Sequence, residues 1–178
     1  MTNLISFSVL SVALSLQLAA ASAYAQQPSF AGRWAAASDS APSGRGATTG
    51  SAGSGLGTPL TITQDSAQLT VAYPFFSRYD MQPPIKFTYA LDGSESRNTV
   101  MVGEGVQEQF SRAAWTGAAL VITTIYVIAN PTGARDSLRA EVVQRLLLES
   151  PTRLIMETTR AGVLGGLPSI TRTVYTKQ

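Results

Sequence analysis

The chain has 178 residues, of which 13 are basic and 11 acidic, so its formal net charge is only +2, and it contains neither cysteine nor histidine. The missing residue types exclude disulfides, thiol nucleophiles, imidazole bases and metal or haem sites built from His or Cys. The balanced charge argues against a nucleic-acid partner. A hydrophobic share of 44% predicts a folded core. Because no catalytic or cofactor motif is present, we expect a non-enzymatic protein without catalytic residues, metal or cofactor.

The first 25 residues form a predicted signal peptide. They carry no charged side chain, they are apolar from residue 4 to residue 18, and they end in Ala23-Tyr24-Ala25, which is an A-x-A cleavage pattern. The apolar core is too short and too rich in serine for a transmembrane span. We therefore expect cleavage after Ala25, export to the periplasm or the medium, and no stable membrane span in the mature chain. The alternative is a buried N-terminal helix.

The mature chain, residues 26–178, has the length of one domain. Residues 38–57 consist mainly of Gly, Ser, Ala and Thr, and this composition predicts a flexible loop. From residue 59 onward the hydrophobic period becomes two, and turn residues such as Asp92-Gly93 and Thr116-Gly117 separate the alternating runs. The predicted strands cover residues 60–63, 69–73, 85–91, 99–102, 106–115, 120–128, 138–149, 153–160 and 170–176.

These hairpins predict an all-β fold. About nine or ten sequential strands with mostly short connections favour an antiparallel up-and-down meander that closes into a β-barrel of about 8–10 strands. A β-sandwich is the second choice. A helix is the alternative for residues 137–148, although their period of two favours a strand.

A Gly-x-Trp motif, Gly32-Arg33-Trp34, stands near the predicted mature start, and Arg172 lies on the last predicted strand. With the hairpin phrases at residues 91–93, 115–123 and 174–177, the chain resembles the lipocalin-like, calycin-type proteins among small exported bacterial proteins. In calycins, a basic side chain from the last strand covers the Trp of this motif. The resemblance therefore implies a barrel closed by Gly32, Trp34 and Arg172, and it bears on the fold more than on a ligand.

Three arginines share the parity of apolar residues on their predicted strands, namely Arg112, Arg160 and Arg172. If this parity faces a barrel interior, Arg112 and Arg160 are candidates to bind an anionic head group, with Glu108 on the same face as Arg112. In the alternative interpretation Glu108 pairs with Arg112, Arg160 lies beyond the buried part of its strand, and Arg172 only covers Trp34. Alternation alone does not decide which face of strands 106–115 and 118–128 is interior.

Aromatic residues recur along the predicted strands. If the barrel is hollow, Phe87, Tyr89, Phe110 and Tyr126 are predicted to line a ligand pocket; if it is filled, these residues belong to a packed core together with Trp34, Tyr73 and Trp115. Residues 75–81 are also rich in aromatic side chains but break the alternation. They are predicted to form a portal or partner site, or to pack into the core.

Two functions fit these observations. The chain is predicted to be an exported barrel that binds a small hydrophobic or amphipathic molecule in its interior. The alternative is an envelope module with a filled core and no ligand, which acts through a protein partner that the sequence does not identify. An outer-membrane barrel fits less well, because polar residues such as Lys86 and Arg139 stand where the lipid-facing apolar band would lie.

Overall fold

The computed structural model describes residues 27–37, 56–74, 83–102, 105–128, 138–161 and 168–178. Within these ranges the chain forms strands and connecting segments, with no helix. The predicted signal peptide, residues 38–55 of the predicted loop and the segment 75–81 lie outside the described residues. The strands are β1 (Gly32–Ala36), β2 (Leu60–Gln64), β3 (Gln68–Tyr73), β4 (Ile85–Ala90), β5 (Glu95–Val102), β6 (Gly105–Thr116), β7 (Ala119–Ile128), β8 (Leu138–Ser150), β9 (Arg153–Arg160) and β10 (Ser169–Lys177).

All ten strands belong to one antiparallel sheet with the order β4-β3-β2-β1-β10-β9-β8-β7-β6-β5. Each strand except β4 and β5 pairs with its neighbours in the chain, and β1 pairs with β10, so the first and last strands meet. The ends of the order, β4 and β5, lie side by side. The fold is therefore an up-and-down, nearly closed barrel. This confirms the predicted fold class and excludes the sandwich.

Strand β8 decides the one segment for which the sequence left a helix open. Residues 138–150 are extended and pair with both β7 and β9. The alternation is visible in the burial, because Ala140, Gln144 and Leu146 are buried while Arg139 and Arg145 are exposed. The helix alternative is therefore wrong, and the period of two was the correct signal.

Short turns connect β2 to β3, β4 to β5, β6 to β7 and β8 to β9 at one end of the barrel, which we call the short-turn end. In the first of these turns, Asp65 Oδ1 accepts hydrogen bonds from the backbone N–H groups of Ala67 at 2.8 Å and Gln68 at 2.7 Å. These bonds lower the pKa of the Asp65 carboxyl. Gly93 and Gly117 have positive φ angles of 82° and 60°, which L-residues with a side chain adopt only with strain.

Side chains close the seam between β4 and β5, where the backbone ladder is missing. The Thr88 N–H donates to Asn98 Oδ1 at 2.8 Å, and Asn98 Nδ2 donates to the Thr88 carbonyl at 3.1 Å. Next to this pair, the Ala90 N–H donates to Ser96 Oγ at 2.8 Å. Residues 96 and 98 of β5 thus satisfy backbone groups of β4 that would otherwise lie unpaired at a sheet edge.

The junction of β1 and β10 differs from the prediction in one residue. Trp34 is fully buried, and Lys177, its partner in the β1–β10 register, places Nζ 5.4 Å from the centre of the indole. Arg172 is exposed and lies 4.0 Å from a Glu149 carboxylate oxygen instead. The prediction of Arg172 over Trp34 is therefore wrong. Arg172 projects outward because the buried parity of β10 is that of Thr173 and Tyr175.

Gly32, the first residue of the motif, makes room for this lysine. A Cβ atom at position 32 would lie 2.5 Å from Lys177 Cε, and Gly32 has a φ of 147°. Gly32 and Trp34 thus both lie against a basic residue of the last strand, and that residue is Lys177.

A buried apolar cluster fills the barrel towards the short-turn end. Phe30 covers this end, since its ring stacks on Trp115 at 5.7 Å, its N–H donates to Gln64 Oε1 at 2.8 Å, and its carbonyl accepts from Trp34 Nε1 at 2.9 Å. Leu56, which the sequence assigned to the flexible loop, belongs to the same cluster. The other fully buried members include Leu60, Ile62, Leu69, Val71, Leu120, Ile122, Leu146, Leu154, Met156 and Tyr175.

Candidate functional site

The structure brings four of the seven predicted ligand-binding residues to the barrel interior. Phe87 and Tyr89 are buried on β4, and Tyr126 and Arg160 share the interior parity of β7 and β9. Glu108, Phe110 and Arg112 lie on the outer face of β6, because the buried parity of that strand is Gln109, Ser111 and Ala113. The assignment of these three residues to the interior is therefore wrong.

The outward residues of β6 make contacts with β5. Glu108 forms an ion pair with Arg97, and Arg112 lies 3.4 Å from a Glu95 carboxylate oxygen. The Arg97 guanidinium also lies 5.6 Å from the centre of the Phe110 ring. The alternative pairing of Glu108 with Arg112 is wrong as well, since each has its own partner on β5. Such exposed pairs contribute only about 0–1 kcal/mol each.

Buried polar side chains line one side of the interior, from β5 to β10, and we call them the polar wall. Asn98 pairs with Gln109 in the strand register, Ser111 with Thr124, and Gln144 with Thr158. Across β9 and β10, by contrast, Thr173 is in register with Met156 of the apolar cluster. Among the described residues the buried polar side chains number seven, and all of them are uncharged. They are Asn98, Gln109, Ser111, Thr124, Gln144, Thr158 and Thr173.

Some polar groups of the polar wall are hydrogen-bonded, whereas at least one is not. Ser111 Oγ and Thr124 Oγ1 lie 2.9 Å apart. Asn98 is engaged at the seam with the backbone of β4. Thr173 is fully buried, and in the described part of the chain no group hydrogen-bonds to its hydroxyl. The wall therefore contains one fully buried hydroxyl that has no hydrogen-bond partner among the described residues.

Aromatic side chains on β3 and β4 face the interior from another side, and we call Tyr73, Phe87 and Tyr89 the aromatic wall. The Tyr73 and Phe87 rings lie 6.1 Å apart, and the Phe87 and Tyr89 rings are stacked at 6.5 Å. The three rings thus form a continuous apolar surface. It ends in the two phenol hydroxyls, which are polar groups at the edge of an apolar strip.

The phenols of the two sides lie close enough to influence each other. Burial raises the pKa of Tyr89 strongly, and the neighbouring Tyr126 and Tyr73 raise it further. Burial also raises the pKa of Tyr126, while the positive charge of Arg160 lowers it. Tyr126 is therefore within electrostatic reach of both Tyr89 and Arg160. All three phenols are neutral near pH 7 and offer O–H donors to the interior.

Charge reaches the interior side only at the two ends of the barrel. Among the described strand residues with interior parity, the charged ones are Arg160, the last residue of β9, and Lys177, the last residue of β10. These positions lie at opposite ends, because the two strands are antiparallel. The middle of the interior is consequently uncharged.

Sequence reasoning missed the polar wall, although one signal for it exists. On β8 the alternating apolar residues run from Leu138 to Leu148, and Gln144 is the single polar interruption with the same parity. On β6 no comparable signal exists. The interior residues Ser111 and Ala113 are small, whereas the outward Phe110 is large and apolar.

The described part of the chain shows neither a metal-binding cluster nor a membrane-spanning helix. No group of three or more Asp, Glu, His or Cys side chains is placed to hold a metal ion there. In the same ranges no helix is long and apolar enough to cross a membrane. No known protein family matches the sequence, and no curated protein matches it significantly.

Proposed function

We propose that this chain is an exported, non-enzymatic, lipocalin-like protein that binds one small amphipathic molecule inside its barrel. The observation that carries the proposal is the two-sided interior, in which the polar wall on β5 to β10 and the aromatic wall on β3 and β4 face the same interior. An interior that only has to pack is expected to be apolar, because every buried polar group must be hydrogen-bonded.

The size of the barrel supports this proposal. Side chains just fill an eight-stranded barrel, and the diameter grows with the number of strands, so a ten-stranded barrel is wider than ordinary packing requires. Small residues occupy four interior positions of β6 to β8, Ser111, Ala113, Thr124 and Ala140, between larger ones such as Gln109 and Ile122. Because Phe30 covers the short-turn end, we place the ligand entrance at the opposite end.

The second candidate is an envelope module with a solid core. It is favoured by the apolar cluster near the short-turn end, where Trp34, Leu120 and Met156 are fully buried. The two candidates differ in whether side chains alone, or side chains and a ligand, fill the interior.

Native mass spectrometry of the protein purified from its own envelope separates the two candidates. A retained small molecule that is released on unfolding is the expected result. A mass that corresponds to the bare chain in repeated preparations, together with no binding of added amphipathic molecules, contradicts the ligand proposal and leaves the envelope module.

A substitution that enlarges an interior side chain provides a second test. If a ligand occupies the interior, the larger side chain of Ala140→Phe fills the ligand's space. The ligand is then no longer retained in native mass spectra, while the protein stays folded. If the core is filled, the same substitution overpacks it and costs about 1–3 kcal/mol of unfolding free energy. Ala114→Phe, on the exposed face of β6, is the matched control and changes neither quantity. Destabilisation by Ala140→Phe with an unchanged bound mass contradicts the proposal.

Export is part of the same proposal, and its support is the apolar, uncharged leader. Sequencing of the N-terminus of the exported protein is expected to begin at Gln26. Recovery of only full-length, membrane-embedded chain contradicts it.

A further inference from the structure

We infer that the ligand carries an uncharged hydrogen-bonding group, an amide, carbonyl or hydroxyl, which binds the polar wall, while its apolar part lies on the aromatic wall. This inference rests on the proposed function and adds the chemical class of the ligand. It assigns a role to Gln109 and Thr173, which the sequence patterns did not identify.

The polar wall favours an uncharged group on electrostatic grounds. The buried polar residues Asn98, Gln109 and Gln144 are amides, and the other buried polar residues are hydroxyl-bearing. A charged group placed among them loses its hydration and meets no opposite charge, which is a large cost in a low-dielectric interior. A neutral polar group loses less hydration and is compensated by ordinary hydrogen bonds.

The polar wall offers both hydrogen-bond donors and hydrogen-bond acceptors. An amide side chain both donates and accepts, and a threonine hydroxyl does the same. The Thr173 hydroxyl is fully buried and, within the described residues, has no hydrogen-bond partner. A carboxylate can only accept and an ammonium can only donate, whereas a primary amide matches both capacities of the wall.

The position of the charged side chains also favours a neutral group. Arg160 stands at the end of β9 and is half-buried, so a carboxylate that paired with it would lie at the rim of the interior. The buried amides of the polar wall would then gain no polar partner from the ligand. The opposite orientation places a neutral head group against Gln109 and the apolar part of the ligand along Phe87 and Tyr89. Polar groups then contact polar groups, and apolar groups contact apolar ones.

Three probes with the same apolar chain test the inference, namely decanamide, decanoate and decylammonium, titrated into the purified exported protein by calorimetry. We expect decanamide to bind at least about tenfold more tightly than either ion. Decanoate binding as tightly as decanamide, or more tightly, overturns the inference in favour of an anion site at Arg160 and leaves the proposed function standing. Binding of none of the three, with no retained mass in native spectra, overturns both.

Two variants connect the preference to the polar wall. Gln109→Leu and Thr173→Val each remove hydrogen-bonding capacity at nearly constant volume, so each is expected to weaken decanamide binding about tenfold and to leave decanoate binding within about twofold. Thr159→Val makes the same change on the exposed face of β9 and serves as the control. Equal weakening of all probes, or unchanged decanamide binding in the folded variants, overturns the inference.

Discussion

At the scale of single residues, the junction of the first and last strands depends on three side chains that have different tasks. Trp34 fills the interior, Lys177 covers its ring, and Gly32 leaves the space through which the lysine methylenes pass. The ammonium-to-indole contact adds an attraction of about 0.5–1 kcal/mol at an exposed site. The contact is therefore a modest supplement to the burial of the indole itself.

A double-mutant cycle measures this contact. Trp34→Ala is expected to lower the unfolding free energy by about 3–5 kcal/mol, because a buried aromatic is lost. Lys177→Ala is expected to cost less and to couple with Trp34→Ala by at least about 0.5 kcal/mol in urea denaturation. Arg172→Ala is the control, and its effect should add to that of Trp34→Ala within about 0.3 kcal/mol. Coupling through Arg172 but not through Lys177 would contradict the structure.

The buried phenols predict a loss of stability in alkali. Tyrosine ionises near pH 10.0 when exposed, but burial raises the pKa of Tyr89 in the folded chain. The unfolded chain therefore releases this proton first, so the stabilising contribution of Tyr89 is present below about pH 10 and declines as the pH rises further. Tyr89→Phe keeps the ring and removes the proton, so its stability should fall less between about pH 9 and about pH 11. Urea unfolding at both pH values checks this, and equal declines would contradict it.

At the scale of elements, the seam between β4 and β5 is the place where the barrel is held by side chains alone. Asn98 provides one acceptor and one donor to Thr88, and Ser96 provides an acceptor to Ala90. Because the Asn98 and Ser96 side chains replace the backbone hydrogen bonds between β4 and β5, removal of one of them exposes the backbone edge of β4. The seam is thus more sensitive to a single substitution than a paired strand is.

Asn98→Ala tests the seam. Two backbone groups of Thr88 lose their partner, so we expect a cost of about 1–3 kcal/mol and faster hydrogen exchange at the Thr88 amide. Thr99→Ala, at an exposed position of the same strand, serves as the control. Unchanged exchange at Thr88 in a destabilised Asn98→Ala variant would show that the side chain only packs.

The sequence predicted the strands well because alternation is a local property. Strand 153–160 matches β9 at both ends, and strand β8 was recognised in spite of its helical alternative. The choice of face failed on β6, since both of its faces mix polar and apolar residues and the interior of the barrel there is polar. The identity of the residue over Trp34 depends on the register between the first and last strands, which no local pattern encodes.

At the scale of the whole molecule, the barrel interior has two unlike sides. Phe87 and Tyr89 of the aromatic wall belong to the same buried apolar cluster as Leu69 and Val71, their register partners on β3, and Phe30 covers this cluster at the short-turn end. The buried polar side chains lie on β5 to β10. Gln109 lies outside the apolar cluster, so variants of Gln109 should alter binding without unfolding the protein.

The pairing of β1 with β10 also governs the order of folding. Thr176 Oγ1 donates to the Ala35 carbonyl at 3.4 Å across 141 positions of sequence. Contacts of such long range slow folding, because the loop between them must be ordered before they form. A nascent chain cannot close the barrel until its last strand has left the ribosome. Until then β1 and β9 expose unpaired edges, so a truncation before β10 is expected to aggregate rather than to fold as a smaller sheet.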